Sequence, residues 1–313
     1  MMKRFLQWKN IWMYHVWLRS FMVCLCLALA GVSAWGQDGF GDFDVTGETG
    51  NATYEKGVLT IKGSGVIVKN KTPETATSDR IVIKGGEEAS PIVVTLAGVK
   101  LETAENYRVP ITINSGSYVD LILTGYNTII PPKSSNGTAA TRGVLYLEGD
   151  GNNGAFSSLT IKGTGELNVY GNRQINAIGG INSKINIEED VNINIKDGGI
   201  GGQNSTVNIS GGKIVLTRAI SYRGCIGGGD ISKVHISGNS DIKIINPGSD
   251  AIYANYIDIS GGKLEISVDD TSTSSSAGIV CRGSINPDTQ GTLKISGGEI
   301  TITDNRNSKK WMV

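Results

Sequence analysis

The sequence predicts an all-β protein: a single-stranded, right-handed parallel β-helix of about nine coils, each coil built from three short strands. Three observations carry that expectation. One phrase recurs, as "VNISGGKIVLT" at Val207–Thr217, "IDISGGKLEIS" at Ile257–Ser267 and "LKISGGEITIT" at Leu293–Thr303. After residue 37, Ile, Val and Leu alternate with Thr, Asn, Lys and Ser, and few windows show a helical period, which is the signature of strands. Glycine supplies 43 of 313 residues without a Gly-X-Y period, so it marks turns and not a collagen.

The repeat sets the architecture. Aligned on the second apolar residue of each unit, the anchors are Ile61, Leu96, Leu123, Ile161, Ile187, Ile209, Ile236, Ile259 and Ile295. The shortest spacings, 22 and 23 residues, give the basic period, and longer ones carry insertions. Periods of about 20–50 residues belong to solenoids and arrays. Within the unit at Thr206 the first strand is Val207–Ser210, a Gly-Gly turn follows, and the second strand is Lys213–Thr217. A short third piece, "CIGGG" at Cys225–Gly229, matches "NAIGG" at Asn176, "GGIGG" at Gly198 and "DAIYA" at Asp250. Propeller blades need four strands and about 40 residues, and leucine-rich repeats need a Leu/Asn spacing that is missing here.

Stacked coils place like residues above like, about 4.8 Å apart. The inner positions of the first strands read Leu159/Ile161, Ile185/Ile187, Val207/Ile209, Val234/Ile236, Ile257/Ile259 and Leu293/Ile295. Those of the second strands read Leu167/Val169, Ile193/Ile195, Ile214/Leu216, Ile242/Ile244, Leu264/Ile266 and Ile300/Ile302. Gly211-Gly212, Gly261-Gly262 and Gly297-Gly298 form the turns between them. A strand follows each pair, so these are not phosphate loops, which lead into helices.

Residues 1–36 read as a signal peptide. Lys3, Arg4, Lys9 and Arg19 precede the apolar run "FMVCLCLALAGV" at Phe21–Val32, and small residues follow. A segment at 37–49 leads into the helix domain at 50–304, and 305–313 form a tail. Beyond residue 36, Lys+Arg falls to 25 against 29 Asp+Glu, a weakly acidic balance that argues against nucleic acid or an anionic membrane surface as partner. No membrane span is expected in the mature chain, and the chain is expected to be a monomer. Cys225 and Cys281 lie two coils apart, about 10 Å, beyond the roughly 7 Å a disulfide allows. Both are expected to be reduced and buried. Trp311 is expected to fold back over the last coil, or that coil to fray.

Four residues take nearly the same place after successive third strands: Asn182, Asn204, Asp230 and Asn255. They predict an Asn/Asp ladder that satisfies turn backbone groups. Asp230 is also a candidate calcium ligand, as are Asp269 and Asp270 in "SVDDTSTS". The acidic stretches "GDFD" at Gly41 and "EGDGNNG" at Glu148 read as solvated loops. Sugar binding wants aromatic platforms and planar hydrogen bonders, and Arg218, Tyr222, Arg223, Tyr253 and Tyr256 are the candidates for gathering on one side. His235 stands alone in the mature chain and cannot build a zinc site or a Ser-His-Asp triad.

The repeats "KISGGEITI" and "GCIGGGDISKVHISG" resemble those of secreted bacterial carbohydrate-binding β-helix proteins, over about residues 50–304. That family is related in fold to calcium-dependent pectate lyases, and some members bind acidic plant polysaccharides with calcium. The resemblance implies an exported, non-catalytic binder of an extended acidic polysaccharide, located in the periplasm, at the cell surface or outside the cell. Calcium is the cofactor it implies. The "NTD", "GHG" and "RIK" motifs of polygalacturonases do not occur in the chain. The alternatives are a lyase or hydrolase acting on uronate-rich glycan, and a surface adhesin or structural solenoid.

Overall fold

The computed structural model describes residues 39–103, 109–131, 143–149, 156–171, 176–217, 224–229, 231–269, 278–283 and 290–305. Among these the chain is all-β, with one short 3-10 turn at Thr49–Asn51 and no α-helix. No helix among them is long and apolar enough to cross a membrane.

Two long sheets hold the strands, of 16 and 10 members. From Ile92 to Cys281 successive strands of the chain enter the stacks in turn, so that each turn of chain adds one strand to every stack. The larger sheet is two such stacks. They are joined because Tyr256–Val268 runs through both, pairing with Lys233–Ile236 by its first half and Asp241–Ile245 by its second. The 10-stranded sheet is the third stack and carries the short third pieces, with Ile178, Ile200, Ile226, Ile252 and Ile279 in register. Beyond the first rung, the strands among the described residues pair in parallel, and the one antiparallel bridge is the isolated Glu87–Ser90.

The register matches the expected inner columns pair for pair. Ile185, Val207, Val234, Ile257 and Leu293 stand one above another in the first stack. Leu167, Ile193, Ile214, Ile242, Leu264 and Ile300 do so in the second. All but the final rung are buried to within 2 %. β-Branched side chains suit such columns because their stiff rotamers pack on pleated strands. Gly212, Gly262 and Gly298 take φ of 78°, 77° and 89°, so the second glycine of each pair makes the turn.

The early anchors need correction. Ile61 belongs to the third stack, where it pairs with Ile83. The first stack there is occupied by Val66 and Val68. Leu121, not Leu123, stands opposite Ile161. The pattern "xIxIxG" occurs in more than one stack, so alignment on it alone mixes them.

Residues before the repeat are also structured. Phe43–Gly47 pairs antiparallel with Val66–Asn70, and Ala52–Glu55 pairs antiparallel with Val58–Ile61. These reversals close the N-terminal end, with Phe40 and Phe43 buried. Polar contacts hold the closure: Tyr54 Oη donates to Asp79 Oδ2 at 2.8 Å, and Thr77 Oγ1 donates to Asp42 Oδ2 at 2.7 Å. Asp44 pairs with Lys69 at 3.0 Å. The opposite end differs. Along Thr292–Asp304 the inner residues Leu293, Ile295 and Ile302 are 47 %, 54 % and 45 % exposed.

The third stack contains a column of Gly179, Gly201 and Gly227, with φ of 134°, 121° and 97°. A Cβ on any of the three would lie 2.0–2.2 Å from the carbonyl oxygen of the next rung. Beside it, Ser183, Ser205 and Ser232 each donate back to the carbonyl three residues earlier, at 2.9, 2.7 and 2.7 Å. Column glycine and serine stand four residues apart in "GGINS" and "GGQNS", while "GGGDIS" at Gly227 carries one residue more between them.

Cys225 and Cys281 are both free thiols. Cys225 is fully buried beside Ala251 in its column. Cys281 is half-buried and stands opposite Ala254, three residues further along the strand than expected. Trp311 lies outside the described residues.

Candidate anion-binding cleft

Near the N-terminal end, the outer face of the third stack forms a cleft of about 550 Å³ lined by Thr53, Glu55, Lys56, Val58, Thr60, Lys62, Arg80 and Lys84. Three strands position these side chains. Leu59, Ile61, Ile81 and Ile83 point into the core, so strand alternation turns Val58, Thr60, Lys62, Arg80 and Lys84 outward. The antiparallel strand Ala52–Glu55 adds Thr53 opposite Thr60 and Glu55 opposite Val58. Arg80 stands opposite Val58 on the next rung.

Ile61 pairs with Ile83, and Lys84 N donates to Ile61 O at 3.0 Å. Lys62 and Lys84 therefore stand side by side on neighbouring strands. Like charges placed so oppose folding, by about 0.2–1 kcal/mol. Neither ammonium has a carboxylate within ion-pair distance among the described residues. Glu55 is turned to Lys56 at 3.4 Å, both largely exposed. The cleft thus holds four cations against one carboxylate.

The outer face of the second stack is arranged differently. Lys213, Asp241, Lys263 and Glu299 alternate in register. Lys263 approaches Glu299 at 3.9 Å, and Lys243 donates to Glu265 at 2.9 Å. On that face Lys243 and Lys263 each meet a carboxylate of this chain, and Lys213 stands in register with Asp241. Lys62 and Lys84 lack such a partner among the described residues, and an anionic ligand would supply one.

The residues singled out from the sequence fare variously. Arg218, Tyr222, Arg223, Asp230 and Asp270 lie outside the described residues. Tyr253 is not a sugar platform: it is 3 % exposed, because Asp250–Ala254 is covered on both sides and alternation brings no face to solvent. Tyr256 is half-buried, with its ring centroid 5.3 Å from that of His235. His235 stands between Asn208 and Asp258 in register. Asp269 is engaged across the rungs, accepting from Asn246 Nδ2 at 2.6 Å while its own N–H donates to Asn246 Oδ1 at 2.9 Å. No group of three or more His, Cys, Asp or Glu side chains gathers among the described residues.

The ladder is real but shorter than expected. Asn204 Nδ2 donates to Asn182 Oδ1 at 2.5 Å, and both residues adopt positive φ, 54° and 52°. Asn255 does not belong to it. Tyr256 pairs with Lys233, which places Asn255 opposite Ser232, one position past the ladder. Its Nδ2 donates instead to Arg282 O at 3.3 Å. On the two outer faces, further amide contacts link Asn208 to Asn186 at 2.8 Å and Asn194 to Asn168 at 3.1 Å.

Lys56, Lys62, Arg80 and Lys84 were not apparent as a site from sequence. The available signal was the pair "TIKG" at Thr60 and "VIKG" at Val82, which sets two lysines at the same point of successive repeats. No protein-family model, curated protein or solved structure matches the chain.

Proposed function

We propose that this is an exported, non-catalytic binding protein for an extended acidic polysaccharide, and that Lys56, Lys62, Arg80 and Lys84 hold the polymer's carboxylates. The reading takes residues 1–36 as a cleaved signal peptide and the body as a right-handed, single-stranded parallel β-helix of about nine coils. The observation that carries it is the adjacent pair Lys62 and Lys84, without acidic partners, in an open cleft.

A carboxylate between the two ammonium groups accepts a charge-assisted hydrogen bond from each and removes their repulsion. Arg80 lines the same cleft and adds its permanent positive charge to theirs. Thr53 and Thr60 offer hydroxyls to the sugar ring beside them. A uronate polymer presents carboxylates and hydroxyls in a regular row, which suits side chains repeating at the rung spacing of about 4.8 Å. Calcium-assisted binding would need carboxylates on the protein, and the cleft offers only Glu55.

The test is retention on immobilised polygalacturonate, with neutral galactan as control. The expected result is retention that raised salt abolishes and a calcium chelator leaves intact, with no unsaturated product released. Lys62→Glu/Lys84→Glu should lose retention while keeping its melting temperature. Retention that needs calcium would favour the calcium-assisted version, product formation would favour a lyase, and undiminished binding by the double variant would remove the cleft from the account.

A further inference from the structure

We propose that the terminal rung, Thr292–Asp304, is the seat of a second copy of this chain, joined edge to edge and antiparallel about a two-fold axis between Gly297 and Gly298. The rung pairs on one side with Tyr256–Val268, and its other edge has no partner among the described residues. Its inner side chains Leu293, Ile295 and Ile302 are about half exposed, whereas Ile257, Ile259 and Ile266 one rung inward are buried to within 1 %. An open, flat edge with apolar side chains is a template for pairing with another chain. The N-terminal end offers no matching apolar column for a head-to-tail contact, because the antiparallel strands there bury Phe40 and Phe43.

The sequence of the edge selects the same edge of another copy. Read outward from the Gly-Gly pair, "TLKISG" and "GEITIT" mirror each other. Antiparallel pairing about that point sets Leu293 opposite Ile302 of the second copy, and Ile295 opposite Ile300. Lys294 then stands opposite Thr301, and Thr292 opposite Thr303. Directly opposite residues share one face of an antiparallel pair, so inner residues meet inner ones and outer meet outer. A slip of one residue would set Leu293 against a threonine and break the match. Glu299 of the second copy falls on the diagonal from Lys294, an attractive placement. The geometry also agrees. The rung bends at the glycines, and a two-fold along the bisector of that bend exchanges its two arms and turns it over. The pairing is closed, so it consumes the edge without building a fibre. This departs from the monomer that the sequence suggests.

The experiment is sedimentation equilibrium on the purified protein. The expected mass is that of a dimer. Thr301→Lys, at an exposed position, puts a cation opposite Lys294 twice per dimer and should raise the dissociation constant about tenfold. Adding Lys294→Glu in the same chain should restore the original value; melting should stay near native for Thr301→Lys and fall modestly in the double variant, which loses the Lys294–Asp258 pair at 3.9 Å. A monomer at all concentrations would overturn the proposal. A dimer indifferent to Thr301→Lys, or unrescued by Lys294→Glu, would overturn the register and the face.

Discussion

Gly201→Ala tests the stacked-rung account where it is least forgiving. Gly201 has φ of 121°, and a Cβ built on it would stand 2.2 Å from Gly227 O, 3.0 Å from Gly227 C and 3.1 Å from Gly227 Cα. The rung cannot simply lift away, because Gly202 N donates to Gly227 O at 2.8 Å. Side-chain carbons essentially never approach backbone oxygen below 3.0 Å. Holding a non-glycine residue in that backbone region costs about 1–3 kcal/mol, and the overpacking adds about 1–3 kcal/mol. Together they amount to roughly 2–6 kcal/mol, well above the typical substitution cost of about 1 kcal/mol. Gly50→Ala is the matched control: nothing lies within 4 Å of its Cβ position and its φ is not positive. Urea unfolding followed by circular dichroism should place Gly201→Ala far below the parent and Gly50→Ala beside it. If the two variants differ by less than about 0.5 kcal/mol, the usual scale of an indifferent surface change, the glycine column does not constrain the rungs.

Three further outcomes follow from single residues. Lys84→Gln should stabilise the fold, by about 0.2–1 kcal/mol from the lost repulsion with Lys62, while weakening polygalacturonate binding about tenfold through one lost charge-assisted contact; calorimetry and affinity electrophoresis give the two readings. Burial, with the hydrogen bond and charge of Asp79 behind it, pushes the Tyr54 hydroxyl up to about 12 from its ordinary 10.0. Its neutral form is favoured in the fold, so its contribution is complete below pH 10 and is lost as pH rises towards 12. The parent's melting temperature should therefore fall more steeply over that window than that of Tyr54→Phe, which should itself melt lower at pH 7 for want of the Asp79 contact. Burial also raises the Cys225 thiol well above its usual range, so native protein should leave Cys225 unalkylated at pH 8, and mass spectrometry should show no two-hydrogen deficit linking it to Cys281.

The middle of the chain was legible in the sequence because one physical requirement repeats there. Each rung must offer apolar side chains to the same columns, and Val207/Ile209 through Ile257/Ile259 advertise this at near-constant spacing. At the N-terminal end the requirement changes from stacking to closing. Phe40, Phe43 and the antiparallel strands answer it without a repeat to betray them. The placement of Asn255 and Cys281 was missed for a related reason: loop lengths vary between rungs, and a shift of one residue moves a side chain to a new partner. The basic cleft was hidden because its cations come from two rungs, and only the pairing of Ile61 with Ile83 brings Lys62 beside Lys84. Tyr253 shows the converse, since it reads as a sugar platform although it belongs to the third-strand piece "DAIYA", which is covered on both faces.

The most direct measurement of the central claim is a covalent map of where a short oligogalacturonate rests. Carbodiimide joins a uronate carboxylate to a lysine amine held against it, and peptide mapping then names the lysine. The account predicts modification concentrated on Lys62 and Lys84, with Lys56 next, and suppressed by raised salt. Modification spread over the surface, or centred on Lys213, Lys243 and Lys263 of the charge-alternating face, would contradict it.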